Sequence, residues 1–444
     1  MSLLEINNSS VKDMLKKMLF AIVFFLSSAI NSFGSSKDDV LLVVHEREIT
    51  RYEFLYHFRK NYQDVNQRNF DEFLGEFIIL QLKLVQAREE GINHNIGFIN
   101  ELAEYRLILS APYLTDNEKQ QEFVHEALGR LKYEIKIDQI LVKYEVDYNN
   151  DSLNTCRKAG EIRNRLLNGE SFEKVAKLYS GDRFIIYKPN IDVFISAFET
   201  EYHIESVAFK LKKGEISMPV KSTNGYSIIQ LSDKRESQKI QKTEQEILNR
   251  IKDANDERMQ LIEDAFVTKL KKEWNLKEYQ EALNKICLSA DERIYKGNWT
   301  PDSKTDFEEV LLTIDDKGIL QNNFIDYMQN VETTDRSLTI KEYIHSLYTK
   351  FVVERLIQYE NLKLPEKYPE FRFQYEEYRD AMLLLQITKQ KVWVKAENNN
   401  PDEFENFVQA DYQNFIMKEW IEELRAKYKV QINKEVLMSI KQQL

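Results

Sequence analysis

Residues 208–220 read AFKLKKGEISMPV and residues 225–235 read GYSIIQLSDKR. The first stretch closes a short helix around Ser206–Phe209 and turns at Gly214, the residue type that tolerates a left-handed backbone most readily. The second is rich in β-branched and aromatic residues and predicts a strand. Upstream, IKIDQILVKY (135–144) predicts another strand. Residues 157–168 form a helical pattern that stops at Gly169, and residues 172–179 form a second helix. An irregular stretch then leads back to Ala208. Residues 135–235 therefore predict a β-α-α-β module.

On the N-terminal side, LLVVHEREITRYEFLYHFRKN begins at Leu41. It predicts a short strand, a turn at Glu46-Arg47, and a helix from Thr50, where Thr50 and Glu53 fit a capping box. FDEFLGEFIILQLKLVQAREEGI continues as a helix with Phe73, Phe77, Leu80, Leu84 and Ala87 on one face, ending at Gly91. A further helix carries Ile99, Leu102, Tyr105, Ile108 and Leu109 on its apolar side. On the C-terminal side the pattern recurs. Residues 312–319 (LTIDDKGI) match residues 42–49 (LVVHEREI) position by position. Phe324 then answers Phe54, Met328 answers Phe58, and IKEYI (340–344) answers FDEFL (70–74). After a three-residue slip, Glu377-Tyr378-Arg379 answers Glu104-Tyr105-Arg106. Two strand-helix-helix units thus flank the central module, which reads as an internal duplication.

Between the module and the second unit, Ile247, Ile251, Met259, Ile262, Phe266, Leu270 and Trp274 predict one long helix with no Gly or Pro. Near the end, Tyr412, Ile416, Trp420, Leu424 and Tyr428 recur every four residues, a core stripe. Val430 and Ile432 alternate with polar residues and predict a closing strand.

The bulk composition agrees with several helical domains. The chain has 444 residues, 43% apolar and 12% aromatic, with 12 Gly and 7 Pro. That length exceeds one ordinary core. The net charge of -11 argues against nucleic acid and anionic lipid as partners. At the start, Lys16 and Lys17 precede the apolar run of residues 18–26 (MLFAIVFFL), and small residues follow to Gly34. This predicts a secretory signal over residues 1–34, cleaved near Gly34, too short to span a bilayer. Cys156 and Cys287 lie far apart and are read as unpaired. The six histidines show no metal-ligand spacing, and there is no Gly-rich phosphate loop or serine-nucleophile motif. No cofactor is expected.

The central motifs resemble parvulin-type peptidylprolyl isomerases. They comprise Gln139-Ile140-Leu141, Gly169-Glu170-Ser171-Phe172, Ala176-Lys177-Leu178-Tyr179-Ser180, the run 208–220, and Gly225-Tyr226-Ser227-Ile228-Ile229. With its helical flanks the chain resembles the SurA family of chaperones. The stretches DKGI (316–319), YRDAMLL (378–384) and KVWVKA (391–396) resemble the form of that family found in Bacteroidetes-type bacteria. The resemblance implies an α+β protein: a mostly helical SurA-like chaperone domain built from N- and C-terminal segments, with the parvulin-like module at the centre. The expected divisions are a signal (1–34), an N-terminal helical domain (38–132), the module (133–236), a helical linker or arm (237–307) and a C-terminal helical domain (308–444).

Parvulins place two core histidines and an Asp or Cys beneath an apolar pocket that grips the proline ring. Here Gln139 and Ser227 stand at the histidine positions. Ile191 aligns with the acid, with Asp192 one step away. Thr200 and Ile204 fall where the gripping Met and Phe would be, with Phe209 beside them. An enzyme must favour the twisted amide over a barrier of about 18–20 kcal/mol. Without imidazoles, isomerase activity is expected to be weak or lost. The resemblance implies a periplasmic folding chaperone for unfolded or nascent exported polypeptides, outer-membrane proteins among them, without stable membrane insertion. The alternatives are an active isomerase and a structural subunit for one dedicated partner.

Overall fold

The computed structural model describes residues 39–61, 67–144, 148–179, 185–188, 193–222, 224–238, 242–252, 256–329, 331, 336–398 and 406–443. The expected signal lies outside them. Helices dominate, as sparse Gly and Pro allow. In chain order the strands are β1 (Val40–Val44), β2 (Arg47–Thr50), β3 (Tyr133–Lys143), β4 (Ile185–Lys188), β5 (Val220–Ser222), β6 (Gly225–Glu236), β7 (Lys277–Glu278), β8 (Val310–Ile314), β9 (Lys317–Leu320) and β10 (Val430–Ile432). They sort into three sheets, β10-β1-β2, β4-β3-β6-β5 and β7-β8-β9. The fold is mostly helical α+β.

The chain divides into two compact units, and they do not follow chain order. The first joins Met1–Leu102 to Glu376–Leu444, and the second is Ala103–Tyr375. The first unit closes through its two ends, as a helical domain built from N- and C-terminal segments requires. There β10 pairs antiparallel with β1, Leu42 opposite Ile432 and Val44 opposite Val430. Phe54, Phe58, Phe70, Phe73 and Phe77 form an aromatic cluster, with Phe54 and Phe77 centroids 5.3 Å apart. Trp420, Leu424 and Tyr428 of the helix Asn406–Lys427 join the same core. The second half of the helix Pro369–Thr388 lies against the β1-β2 hairpin and the helix Gln67–Glu89. Its Asp380 accepts from Arg88 at 2.9 Å and lies 3.9 Å from Arg47, and its Glu377 meets His57 at 3.3 Å and Lys60 at 2.5 Å.

The second unit contains the central sheet and a structural copy of the first unit. The β8-β9 hairpin reproduces β1-β2 at an offset of 270 residues, as from Leu42 to Leu312. Both hairpins carry the same irregularity, Val40/Leu42 and Val310/Leu312. Both turn through a left-handed residue, His45 at φ 58° and Asp315 at φ 55°. Arg51 N–H donates to Asp39 O at 2.7 Å, and Gln321 N–H donates to Glu309 O at 2.9 Å. A second correspondence has an offset of 154. The helix Glu257–Glu273, β7 and the helix Gln280–Ser289 match the helix Asn406–Lys427, β10 and the helix Lys434–Lys441. Ile262, Phe266, Leu270 and Ile286 take the buried places of Ile416, Trp420, Leu424 and Ile440. In each copy the added strand extends the outer edge of the hairpin's first strand. Asn433 N–H reaches Leu41 O at 2.8 Å, and Tyr279 N–H reaches Leu311 O at 3.0 Å.

Residues 257–289, placed by the sequence reading in a linker or arm, are therefore packed core of the second copy. The single helix expected over 247–274 is two, Glu244–Ile251 and Glu257–Glu273. Asp256, extended at φ −90°, ψ 123°, caps the second, its carboxylate accepting from Arg258 N at 2.9 Å. In the helix Ile96–Ser110 the expected apolar face is not the buried one: Leu102 packs on the core, but Ile99 and Ile108 are exposed. The irregular stretch after the module's second helix contains β4. Both cysteines are free. Among the described residues no helix is long and apolar enough to cross a membrane, and no group of residues could hold a metal ion.

Candidate functional site

The central antiparallel sheet has two apolar faces because its strands alternate. Ile140, Val142 and Ile228 point one way, under the helices Tyr148–Leu167 and Phe172–Leu178. Ser171 caps the second of these, accepting from Lys174 N at 3.2 Å. On the opposite face Ile137 lies across from Leu231, Gln139 from Ile229, and Leu141 from Ser227. The helix Tyr202–Ala208 covers this face with Ile204, Ala208 and the adjoining Phe209.

The two polar residues at the core-histidine positions meet. Gln139 Nε2 donates to Ser227 Oγ at 2.9 Å across the diagonal of β3 and β6. Gln139 is 7% exposed and Ser227 1%. The pair is satisfied and closed to solvent, as a buried amide requires. Neither side chain takes up or releases a proton near neutral pH, so the pair cannot shift charge beneath a substrate. Nearby, Ser217 exchanges bonds with Ile229: its backbone N–H donates to Ile229 O at 2.8 Å, and its Oγ accepts from Ile229 N at 3.0 Å. Ile204, expected as a gripping residue, and Phe209, expected beside it, share one buried cluster with Ile229. Thr200 is half-buried in the turn before the helix Tyr202–Ala208. Ile191 and Asp192 lie outside the described residues.

Sequence reasoning missed Glu205. It is fully buried on the helix Tyr202–Ala208. One carboxylate oxygen accepts from Arg130 at 2.9 Å and Arg258 at 2.6 Å, and the other from Phe198 N at 2.9 Å. Arg258 also donates to Asp256 at 3.0 Å and lies over the rings of Phe198 (4.3 Å) and Tyr202 (4.4 Å). Arg130 also pairs with Glu126, and Tyr202 OH donates to Glu126 at 3.0 Å. Burial, reinforced by the Glu126 carboxylate, pushes the Tyr202 phenol up to about 12. His203 Nδ1 lies 2.8 Å from Glu257. Phe198 and Tyr202 pack on the apolar cluster of Phe123, Ile247, Ile251 and Ile262. The segment that would grip a proline is thus clamped between the sheet and the helices Asn117–Leu131, Glu244–Ile251 and Glu257–Glu273. The one signal available in sequence was an acid set between Ile204 and Ala208 on an otherwise apolar face.

A four-stranded sheet wrapped by these helices, with a polar pair at its centre, defines a rotamase module, and residues 140–233 match the PPIC-type PPIase domain. It is this central domain, about a fifth of the chain, that is similar to the parvulin-type rotamases. Among curated relatives it is similar to foldase protein PrsA 1 of Bacillus cereus, 28% identical over 247 residues, covering 50% of this chain and 78% of that protein. It is 35% identical over 105 residues to foldase protein PrsA 3 of Bacillus anthracis, covering 24% of this chain and 33% of that protein. Among solved structures, PrsA of Bacillus cereus is 19% identical, covers 53% of this chain and 93% of its own, and has a TM-score of 0.25. A SurA-like chaperone of Campylobacter jejuni is 18% identical, covers 53% and 97%, and has a TM-score of 0.18.

Proposed function

We propose that this parvulin-type folding chaperone binds unfolded exported polypeptides in the periplasm, outer-membrane proteins among them, and that its isomerase activity is weak or lost. The carrying observation is the Gln139–Ser227 pair, buried and mutually bonded where imidazoles would have to work. A catalyst must interact more strongly with the twisted amide than with either planar form. A neutral amide–hydroxyl pair, 7% and 1% exposed, offers no titrating group to follow the charge of a twisting amide. The clamp around Glu205 supports the same reading, since it ties the substrate-side helix into structural packing. Extended clients instead call for a broad surface with many weak contacts. The reading includes a signal over residues 1–34 and a folded module over 133–236 with a structural or peptide-binding role. Of the residues expected to bind substrate, Ile204 and Phe209 are buried in the module's own core and Thr200 is half-buried, so a client segment meets the module elsewhere on its surface.

The test is a protease-free proline-peptide exchange assay on the full chain, run beside aggregation of an unfolded β-barrel protein. Suppressed aggregation with exchange at the uncatalysed rate is expected. Turnover comparable to active parvulins that disappears on Gln139→Ala would overturn the reading and establish an isomerase.

A further inference from the structure

The cleft that the helix Pro369–Thr388 covers in the first copy has a counterpart in the second, and among the described residues that counterpart is open. It has a volume of about 680 Å³ and lies between the β8-β9 hairpin, the helix Gln321–Met328 and the helix Ile340–Lys367. At the 270-residue offset, Lys317 stands where Arg47 stands, Tyr327 where His57 stands, and Gln358 where Arg88 stands. In the first copy Arg47 and Arg88 share Asp380, and His57 meets Glu377. The conserved geometry of the two hairpins makes the second cleft the same kind of seat.

Its charges are arranged for an incoming carboxylate. Lys317 is exposed, and no carboxylate lies within ion-pair distance of it among the described residues. Arg355, on the cleft wall, donates to Gln358 at 2.7 Å, lies 4.8 Å from the Phe351 ring, and keeps a buried Nε with no hydrogen-bond partner. The cleft's own acids are committed. Glu354 accepts from Tyr327 at 3.0 Å, and Asp326 pairs with Lys304 at 2.6 Å. The apolar contribution comes from Ile319 and from Leu362, 64% exposed. An amphipathic helix laid in a groove needs this combination of apolar floor and pairing charge at one side.

We propose that this cleft docks an amphipathic helix of a partner polypeptide, its apolar side against Ile319 and Leu362 and its carboxylate on Lys317 and Arg355. The inference stands on the internal repeat and is independent of whether the parvulin module catalyses. The probe is a fluorescein-labelled synthetic peptide with the sequence of residues 369–388, the helix that fills the first cleft, titrated into the full chain by anisotropy. Saturable binding is expected. Losing the charge-assisted contact in Lys317→Glu, or the apolar contact in Leu362→Asp, should each weaken it about tenfold, with unchanged circular dichroism and melting. A peptide carrying Asp380→Lys should regain binding to Lys317→Glu. Absence of saturable binding, or binding indifferent to both substitutions, overturns the proposal. So does self-association in sedimentation that Lys317→Glu abolishes, which would assign the cleft to a second copy of the chain.

Discussion

At the scale of single residues, the Gln139–Ser227 bond replaces a titrating pair with a structural one. Removing the hydroxyl leaves the Gln139 amide buried without its acceptor, a penalty of about 1–3 kcal/mol. Ser227→Ala should therefore lower the free energy of unfolding by that amount without changing proline exchange, measured by chemical unfolding alongside the peptide assay. This pair was legible in sequence because the flanking motif residues locate both positions, and a strand's alternation places them on one face. Glu205 was not legible. Its partners Arg130 and Arg258 lie 75 and 53 residues away, and nothing local marks an acid that is paired in space. Ile99 and Ile108 show the converse limit, since periodicity finds an apolar face but not what covers it.

At the scale of elements, helix ends and buried ion pairs decide how segments are joined. Glu205→Ala would take the shared carboxylate from two arginines, 6% and 1% exposed at their side chains, leaving Arg130 only Glu126 and Arg258 only Asp256. Breaking a buried pair by removing one partner costs about 3–5 kcal/mol. The helix Tyr202–Ala208 should loosen first, seen as faster amide exchange there than in β3 and β6. Glu377 carries a pH signature. Burial alone would raise its carboxyl, but hydrogen bonds from His57 and Lys60, with their charges, hold it below the ordinary 4.5. A depressed folded value means stabilisation present above the unfolded value and lost as pH falls through the folded one. Glu377→Gln should flatten the acid limb of the stability curve below about pH 4.5 while leaving the alkaline limb in place. The break between the helices Glu244–Ile251 and Glu257–Glu273 escaped the sequence reading because apolar spacing continues across it. Only the cap at Asp256 reveals it, and an Asp within a charged run is a weak signal.

At the scale of the whole molecule, the chain uses one structural plan twice. The hairpin-helix-helix half of that plan was readable because both copies keep the same internal order. The helix-strand-helix half was not, because it follows β2 by most of the chain in one copy and precedes β8 in the other. Spatial neighbours had changed places along the sequence. The dependence of the first unit on the last segment has a direct test. A chain ending at residue 398 loses Trp420, Leu424, Tyr428 and β10, and with them much of the core beneath β1. Limited proteolysis with mass spectrometry should then degrade residues 39–102 while a fragment close to 103–375 survives. Equal protection of both segments would show that the first unit holds without its closing strand.

The edge of β1 that receives β10 also sets a timetable. During synthesis the hairpin leaves the ribosome about 380 residues before its neighbour, since Val44 pairs with Val430. Its second copy waits for nothing, because β7 is made before β8. The later-encoded copy can therefore mature first, while the earlier one keeps an unpaired strand edge until residues 430–432 have been made. An edge left open that long invites the wrong strand, so the opening residues of this protein are themselves a segment in need of shelter.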